Sequence, residues 1–196
     1  MTKKKGLILA AVIIMGLSYA CSHDSNQGTN SKPNTTQSQE SKAPSKAQIA
    51  YDKFVNIPMG ASYDQVKEAL GADGKLTHES SIGDIKTQSY DFKIGDAHMT
   101  FMFQNSGLTS KAISALSFLS PNGPKITLDQ FNKIQTGMTY DQVKEILGSD
   151  GRLSSQTSIM GSTSSLYTWI NAGGANLVVT FGTEGTVDSK TQFGLK

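Results

Sequence analysis

Two pairs of acidic residues have a spacing that would suit acid–base chemistry. Asp64 and Glu68 are four positions apart, so they share one face of a helix. Asp141 and Glu145 repeat that spacing. Paired carboxylates can serve as general acid and general base. A lysine precedes each glutamate, however, and mixed charge at this spacing is typical of a solvated helix surface. We therefore interpret both pairs as surface charge.

The remaining polar side chains do not form a recognisable catalytic or metal-binding pattern. Ser80 and Ser81 follow His78, but no orienting acid completes a nucleophile–base arrangement. His78 and His98 lack the spacing of a metal-binding pair, and Cys21 has no second cysteine beside it. The sequence therefore predicts no enzyme activity, no metal and no cofactor. An envelope hydrolase that uses His78 or His98 is kept only as a third hypothesis.

The chain contains one stretch twice. Phe54–Ile82 aligns with Phe131–Ile159 at a shift of 77 residues, with 16 identities in 29 positions and no gap. A match of this density indicates an internal duplication. Each copy has Ser or Thr followed three residues later by Gln, which is a capping box, and each ends its apolar stripe with Leu-Gly. The repeated stretch therefore predicts a helix with its start and stop, and we assign it no site.

Each copy predicts two short helices followed by antiparallel strands. Apolar and polar residues alternate through Ala97–Gln104 and again through Leu177–Phe181, which indicates strands with one covered face. Two prolines and a glycine within 120–124 mark the boundary between the copies. We predict an α+β fold of two tandem units, residues 47–119 and 127–196. Each unit is expected to be a helix-loop-helix packed on a four-stranded antiparallel sheet.

The N-terminus has the features of an export signal. Three lysines precede the apolar run Gly6–Leu17, which is too short to span a bilayer comfortably. The only cysteine, Cys21, stands at the expected cleavage point. The segment that ends there resembles a bacterial lipobox, which implies that residues 1–20 are a lipoprotein signal peptide and that Cys21 is lipidated. Residues 21–46 are rich in Ser, Asn, Gln and Thr, a composition that predicts a disordered tether.

Charge and anchor together define the expected partners. Without residues 1–20 the chain has 15 basic residues (18 less three lysines) and 16 acidic ones, a formal charge of −1. A near-neutral protein lacks the field that gathers nucleic acid. Two acyl chains on one cysteine are enough for stable anchoring. We therefore expect a protein on the extracytoplasmic face of the cell membrane, with an envelope or secreted protein as its partner and no nucleic acid.

The duplicated part resembles the beta-lactamase inhibitory protein (BLIP) fold. The resemblance lies in the Gly-Met-Thr-Tyr-x-Gln-Val-x-x-Ile-Leu-Gly segment at 137–148, its earlier copy, and the strands that follow each. A single unit is similar to the outer-membrane assembly lipoprotein BamE of the SmpA/OmlA group, and the whole chain resembles Gram-positive lipoproteins with two such units. The resemblance covers nearly all of 47–196. It implies binding through the exposed sheet face and its loops rather than catalysis.

The residues expected to contact a partner occupy strand positions opposite the apolar face. They are His98, Thr100 and Met102 in the first unit and Ile170 and Val178 in the second. The main hypothesis is a membrane-anchored, protein-binding module that uses its sheet faces. The alternative is an inhibitor of a secreted enzyme such as a beta-lactamase or a peptidase.

Overall fold

The structure is a computed structural model that describes residues 43–114, 116 and 124–196. The predicted signal peptide, Cys21 and nearly all of the predicted tether lie outside these residues. The helices are α1 (Lys46–Asn56), α2 (Tyr63–Leu70), α3 (Leu128–Lys133) and α4 (Tyr140–Leu147). The strands are β1 (Lys75–Ile82), β2 (Ile85–Ile94), β3 (Ala97–Gln104), β4 (Gly107–Ser114), β5 (Arg152–Ile159), β6 (Ser162–Ile170), β7 (Asn176–Phe181) and β8 (Val187–Phe193).

All eight strands form one antiparallel sheet in the order β1 to β8. The predicted mixture of helices and antiparallel strands is confirmed, but the predicted division into two four-stranded sheets is not. The last strand of the first repeat pairs with the first strand of the second, with Ser110, Lys111 and Ala112 opposite Thr157, Gln156 and Ser155. This pairing satisfies backbone groups that would be exposed on the edges of two separate sheets.

The repeated helix starts and stops as its sequence predicts. The Ser62 hydroxyl accepts from the Gln65 amide and the Gln65 side chain accepts from the Ser62 amide, and α4 begins with the same capping box. Gly71 (φ 71°) and Gly148 (φ 72°) end the two helices in the left-handed conformation that glycine adopts without strain. The caps therefore explain why Gln65 and Gly71 recur as Gln142 and Gly148 in the second copy.

The repeated tyrosine and the Asp-Gly pair after the helix form a second local contact. The Tyr63 hydroxyl accepts from the Gly74 amide (3.2 Å), and the Tyr140 hydroxyl accepts from the Gly151 amide (3.1 Å). Each glycine lies against an aromatic ring of the sheet. A Cβ at Gly151 would lie 2.6 Å from ring atoms of Trp169, so no larger residue fits without movement. These contacts join the first residue of the helix to the glycine just before the first strand of each repeat.

The core lies between the helices and one face of the sheet. Alternation in β3 places Met99, Phe101 and Phe103 on this covered face, where all are buried, and β7 repeats the pattern. The buried residues form two clusters, one in each repeat. Leu153 of the second repeat belongs to the first cluster, and Tyr167 packs against both. The two cores are thus in contact at the β4–β5 junction.

A buried lysine caps the end of α1. Lys111 is 1% exposed, and its ammonium donates to the carbonyl oxygens of Phe54 (3.0 Å), Val55 (3.1 Å) and Ile57 (2.7 Å). Such carbonyls have no partner within their own helix. Burial lowers the pKa of Lys111 to about 8. In the second repeat Lys190 donates to two carbonyl oxygens at the end of α3 (2.7 and 2.6 Å), so both repeats have a lysine that caps the first helix.

Candidate protein-binding surface

The second face of the sheet, which we call the open face, carries the side chains that point away from the helices. The strand registers align one row of these residues across all eight strands. The row consists of Lys75, Asp91, Thr100, Ala112, Ser155, Leu166, Thr180 and Ser189. Most are small or polar, and none is buried. The open face is therefore a continuous surface to which both repeats contribute.

All five predicted contact residues belong to the open face, but they form two groups. His98 and Thr100 are exposed and Met102 is half-buried, all on β3. Ile170 on β6 and Val178 on β7 are half-buried. Strands β4 and β5 separate the groups, which is a span of roughly 14 Å from β3 to β6 at the usual strand spacing. Ile170 also packs against the first core cluster, so part of its side chain has a structural role.

A cavity of about 300 Å³ lies at the β2–β3 end of the open face. Lys75, Lys93, His98 and Ser114 line it, together with Thr100. The Thr100 hydroxyl donates to a carboxylate oxygen of the neighbouring β2 aspartate at 2.8 Å. Within the part of the chain that the structure describes, neither lysine forms an ion pair. This end of the face is therefore suited to an acidic group of a partner.

Among the described residues, four of the five most exposed large apolar side chains lie at two hairpin tips that we did not predict from the sequence, and the fifth, Phe193 (72%), ends β8. Ile82 (80% exposed) and Ile85 (50%) flank the β1–β2 turn, and Ile159 (61%) and Met160 (102%) begin the β5–β6 turn. Because β1 and β5 run in the same direction, both tips lie at the same end of the sheet. Apolar residues beside a turn were the available signal, since Ile82 and Ile159 are equivalent positions of the repeat.

The acidic residues considered for chemistry are surface groups. Asp64, Glu68, Asp141 and Glu145 are all exposed. The aspartates of the two Asp-Gly pairs form ion pairs with the lysines of α2 and α4. Among residues 43–114, 116 and 124–196, no three His, Cys, Asp or Glu side chains gather closely enough to hold a metal ion. The same residues include no helix with the length and apolar character of a membrane span.

Comparison with known proteins identifies the family of the chain. The family model described as beta-lactamase inhibitor (BLIP) matches residues 50–169 and 130–196, which together span 147 of the 196 residues. The chain belongs to the BLIP family. A crystal structure of a Streptococcus mutans protein, described as a candidate beta-lactamase inhibitor, superposes with a TM-score of 0.60. The match covers 74% of this chain and 94% of that protein at 21% identity, so it supports the shared fold. The similarity to BamE stays a prediction.

Proposed function

We propose that this chain is an inhibitor-type binding protein that docks a protein partner against the open face and the two hairpin tips. The observation that carries the proposal is the position of four exposed apolar side chains, Ile82, Ile85, Ile159 and Met160, at one end of a face shared by both repeats. Exposed apolar residues bordered by polar ones are typical of interaction sites. Membership of the BLIP family supports a protein as the partner.

The partner we favour is a secreted or envelope protein, because Cys21 is proposed to carry a lipid anchor. A Cys21→Ser variant should then appear in the soluble fraction, while the unchanged chain sediments with membranes. Retention of the variant in membranes, or a Cys21 peptide without added lipid in mass spectra, would remove the anchor from the proposal. The docking surface would be unaffected, since it rests on other residues.

Site-specific crosslinking tests the docking surface directly. A photoreactive amino acid placed at Met160 or Val178 should form a crosslink to one partner in intact cells. The same photoreactive amino acid in place of Glu68, on the exposed surface of α2, is the matched control and should form no crosslink to that partner. Crosslinks of equal yield from all three positions, or from Glu68 alone, would contradict the proposed surface.

Affinity measurements then separate the tips from the rest of the face. Ile82→Ser and Met160→Ser should each weaken binding of the crosslinked partner about tenfold, the effect of losing one buried apolar contact. Neither substitution should shift the melting temperature, because both side chains are exposed.

Titration against a panel of beta-lactamases tests the enzyme-inhibitor form of the proposal. If hydrolysis by every beta-lactamase is unchanged at a saturating concentration of this protein, the chain is a binding module that does not inhibit those enzymes.

A further inference from the structure

An apolar groove lies between α1 and α2, on the helical side of the sheet. Its volume is about 410 Å³, and Ile49, Ile57, Pro58, Ala61 and Ala69 form its apolar lining. The Ile49 side chain is 44% exposed there. Volumes of this order, with mainly apolar walls and a few polar groups, are typical of sites for small molecules. The groove is separate from the open face, which lies on the other side of the sheet.

The second repeat carries larger side chains at two of the equivalent positions. At the shift of 77 residues, Ala61 corresponds to Met138 and Ala69 to Ile146. Met138 and Ile146 are half-buried and pack against the second core cluster. The Gln130 side chain also donates to the Ile146 carbonyl (2.9 Å) and links α3 to α4. The first repeat has the smaller side chain at both positions, so its groove is open.

The backbone around the two positions is equivalent, so the difference lies in the side chains. The Ala61 carbonyl accepts from the Leu108 amide at 2.9 Å, and the Met138 carbonyl accepts from the Val187 amide at 2.8 Å. The glycine before each residue donates back to the same strand residue (2.8 and 2.9 Å). Methionine is thus accommodated at this backbone position in the same molecule. The second repeat has apolar side chains at both positions, which indicates that the open groove suits an apolar ligand.

The shape and charge of the groove favour a chain-like ligand with an anionic end. A smaller cavity of about 130 Å³ shares Ile49 and Lys53 with the groove and continues to Leu70 and Ile94. Lys46 lines this extension, and neither lysine forms an ion pair with the residues that the structure describes. The one carboxylate in the groove already accepts a hydrogen bond from the Gln48 side chain (2.9 Å). The lining of the groove and its extension thus holds two ammonium groups and one carboxylate, which leaves a net positive charge to meet a ligand.

We propose that the α1–α2 groove binds a single-chain aliphatic carboxylate, a fatty acid. The hydrocarbon chain lies along Ile49, Ala61 and Ala69, and the carboxylate is near Lys46 and Lys53. Burial of the chain drives binding, since each methylene removed from water contributes about 0.8 kcal/mol. The site is independent of the proposed docking of a protein on the open face.

Dodecanoate, below its micelle concentration, is the probe. Titrated into the ¹⁵N-labelled protein, it should shift amide resonances of α1 and α2 and leave those of the hairpin tips unchanged. The double variant Ala61→Met/Ala69→Ile carries the residues of the second repeat and should weaken binding about tenfold or more. Its melting temperature checks that it is folded. Absence of binding by the unchanged protein, or equal binding by the filled variant, would overturn the proposal.

The charged end is tested separately. Dodecyltrimethylammonium should bind at least several-fold more weakly than dodecanoate. Lys46→Gln/Lys53→Gln should reduce that preference, while the affinity for dodecanol should not change. If both head groups bind equally to the unchanged protein, the carboxylate assignment is wrong and the ligand class with it.

Discussion

Replacing the buried lysine with methionine should change how the free energy of unfolding depends on pH. Lys111 has an ordinary pKa of 10.5 in the unfolded chain, and burial lowers it to about 8 in the fold. Its three carbonyl partners favour the charged form, but the loss of hydration outweighs them. Below pH 8 both states carry the proton. Between pH 8 and 10.5 only the unfolded state does, so the stability of the native protein rises with pH in this window.

The size of this effect follows from the two pKa values. The contribution of Lys111 should rise by about 1 kcal/mol at pH 9 and by about 2–3 kcal/mol at pH 10, relative to pH 7. Lys111→Met removes the titration, so the stability difference between native protein and variant should grow by the same amounts. At pH 7 the variant loses three hydrogen bonds to a cation but no longer buries a charge. The two effects have opposite signs. The net change in the free energy of unfolding at pH 7 should therefore be smaller than the cost of losing the three hydrogen bonds alone.

Urea denaturation at 25 °C from pH 7 to pH 10 measures both proteins. Burial raises the pKa of Tyr51 to about 12, which lowers stability above pH 10 because the unfolded chain loses that proton first. This effect is common to both proteins and cancels in the difference. Parallel stability curves for the native protein and Lys111→Met would refute the reasoning, since they would show that the ammonium titrates alike in both states.

Three further substitutions test the packing. Asn171→Ala should cost about 2–4 kcal/mol in urea denaturation, because its buried side chain accepts from the Ile126 amide (2.8 Å) and donates to the Ile126 carbonyl (2.7 Å). Gly151→Ala should cost about 1–3 kcal/mol and change the fluorescence of Trp169, the single tryptophan, because the new Cβ meets its ring. Gly107→Ala is its control, since the nearest atoms lie 3.7 Å away; equal losses would contradict the ring contact. Lys190→Met removes the cap of α3, so it should lower the free energy of unfolding by about 1–3 kcal/mol and lower the melting temperature with it. An unchanged melting temperature would show that water replaces the ammonium as the donor to the α3 carbonyls.

The sequence predicts those parts of the fold that short-range rules determine. The capping box at Ser62 and the left-handed stop at Gly71 depend on neighbouring residues, so both could be identified from spacing. The covered face of β3 followed from alternation alone. The β4–β5 pairing joins strands that α3 and α4 separate in the chain, and no local pattern encodes it. Two separate sheets would have matched the same pattern of residues.

The lysine cap and the hairpin tips were missed because each contradicts a general expectation. Lys111 occupies an inward position of β4, where alternation assigns an apolar residue, and its repetition as Lys190 was the signal that it is structural. Ile82 and Met160 lie beside turns, where polar residues are usual. The open face followed from strand alternation, as the side opposite the apolar positions, and its contact residues stay a prediction.

The single sheet gives the proposed binding surface a geometry that two linked units would lack. The tips of β1–β2 and β5–β6 are four strand spacings apart, roughly 19 Å, and the spacing is set by backbone pairing across β4 and β5. A partner that contacts one tip therefore meets the second without the cost of ordering a linker. Each tip alone offers only two apolar side chains, too few for a stable interface. Duplication followed by fusion of the sheets explains how a small unit with a thin core could present a surface large enough to bind a protein.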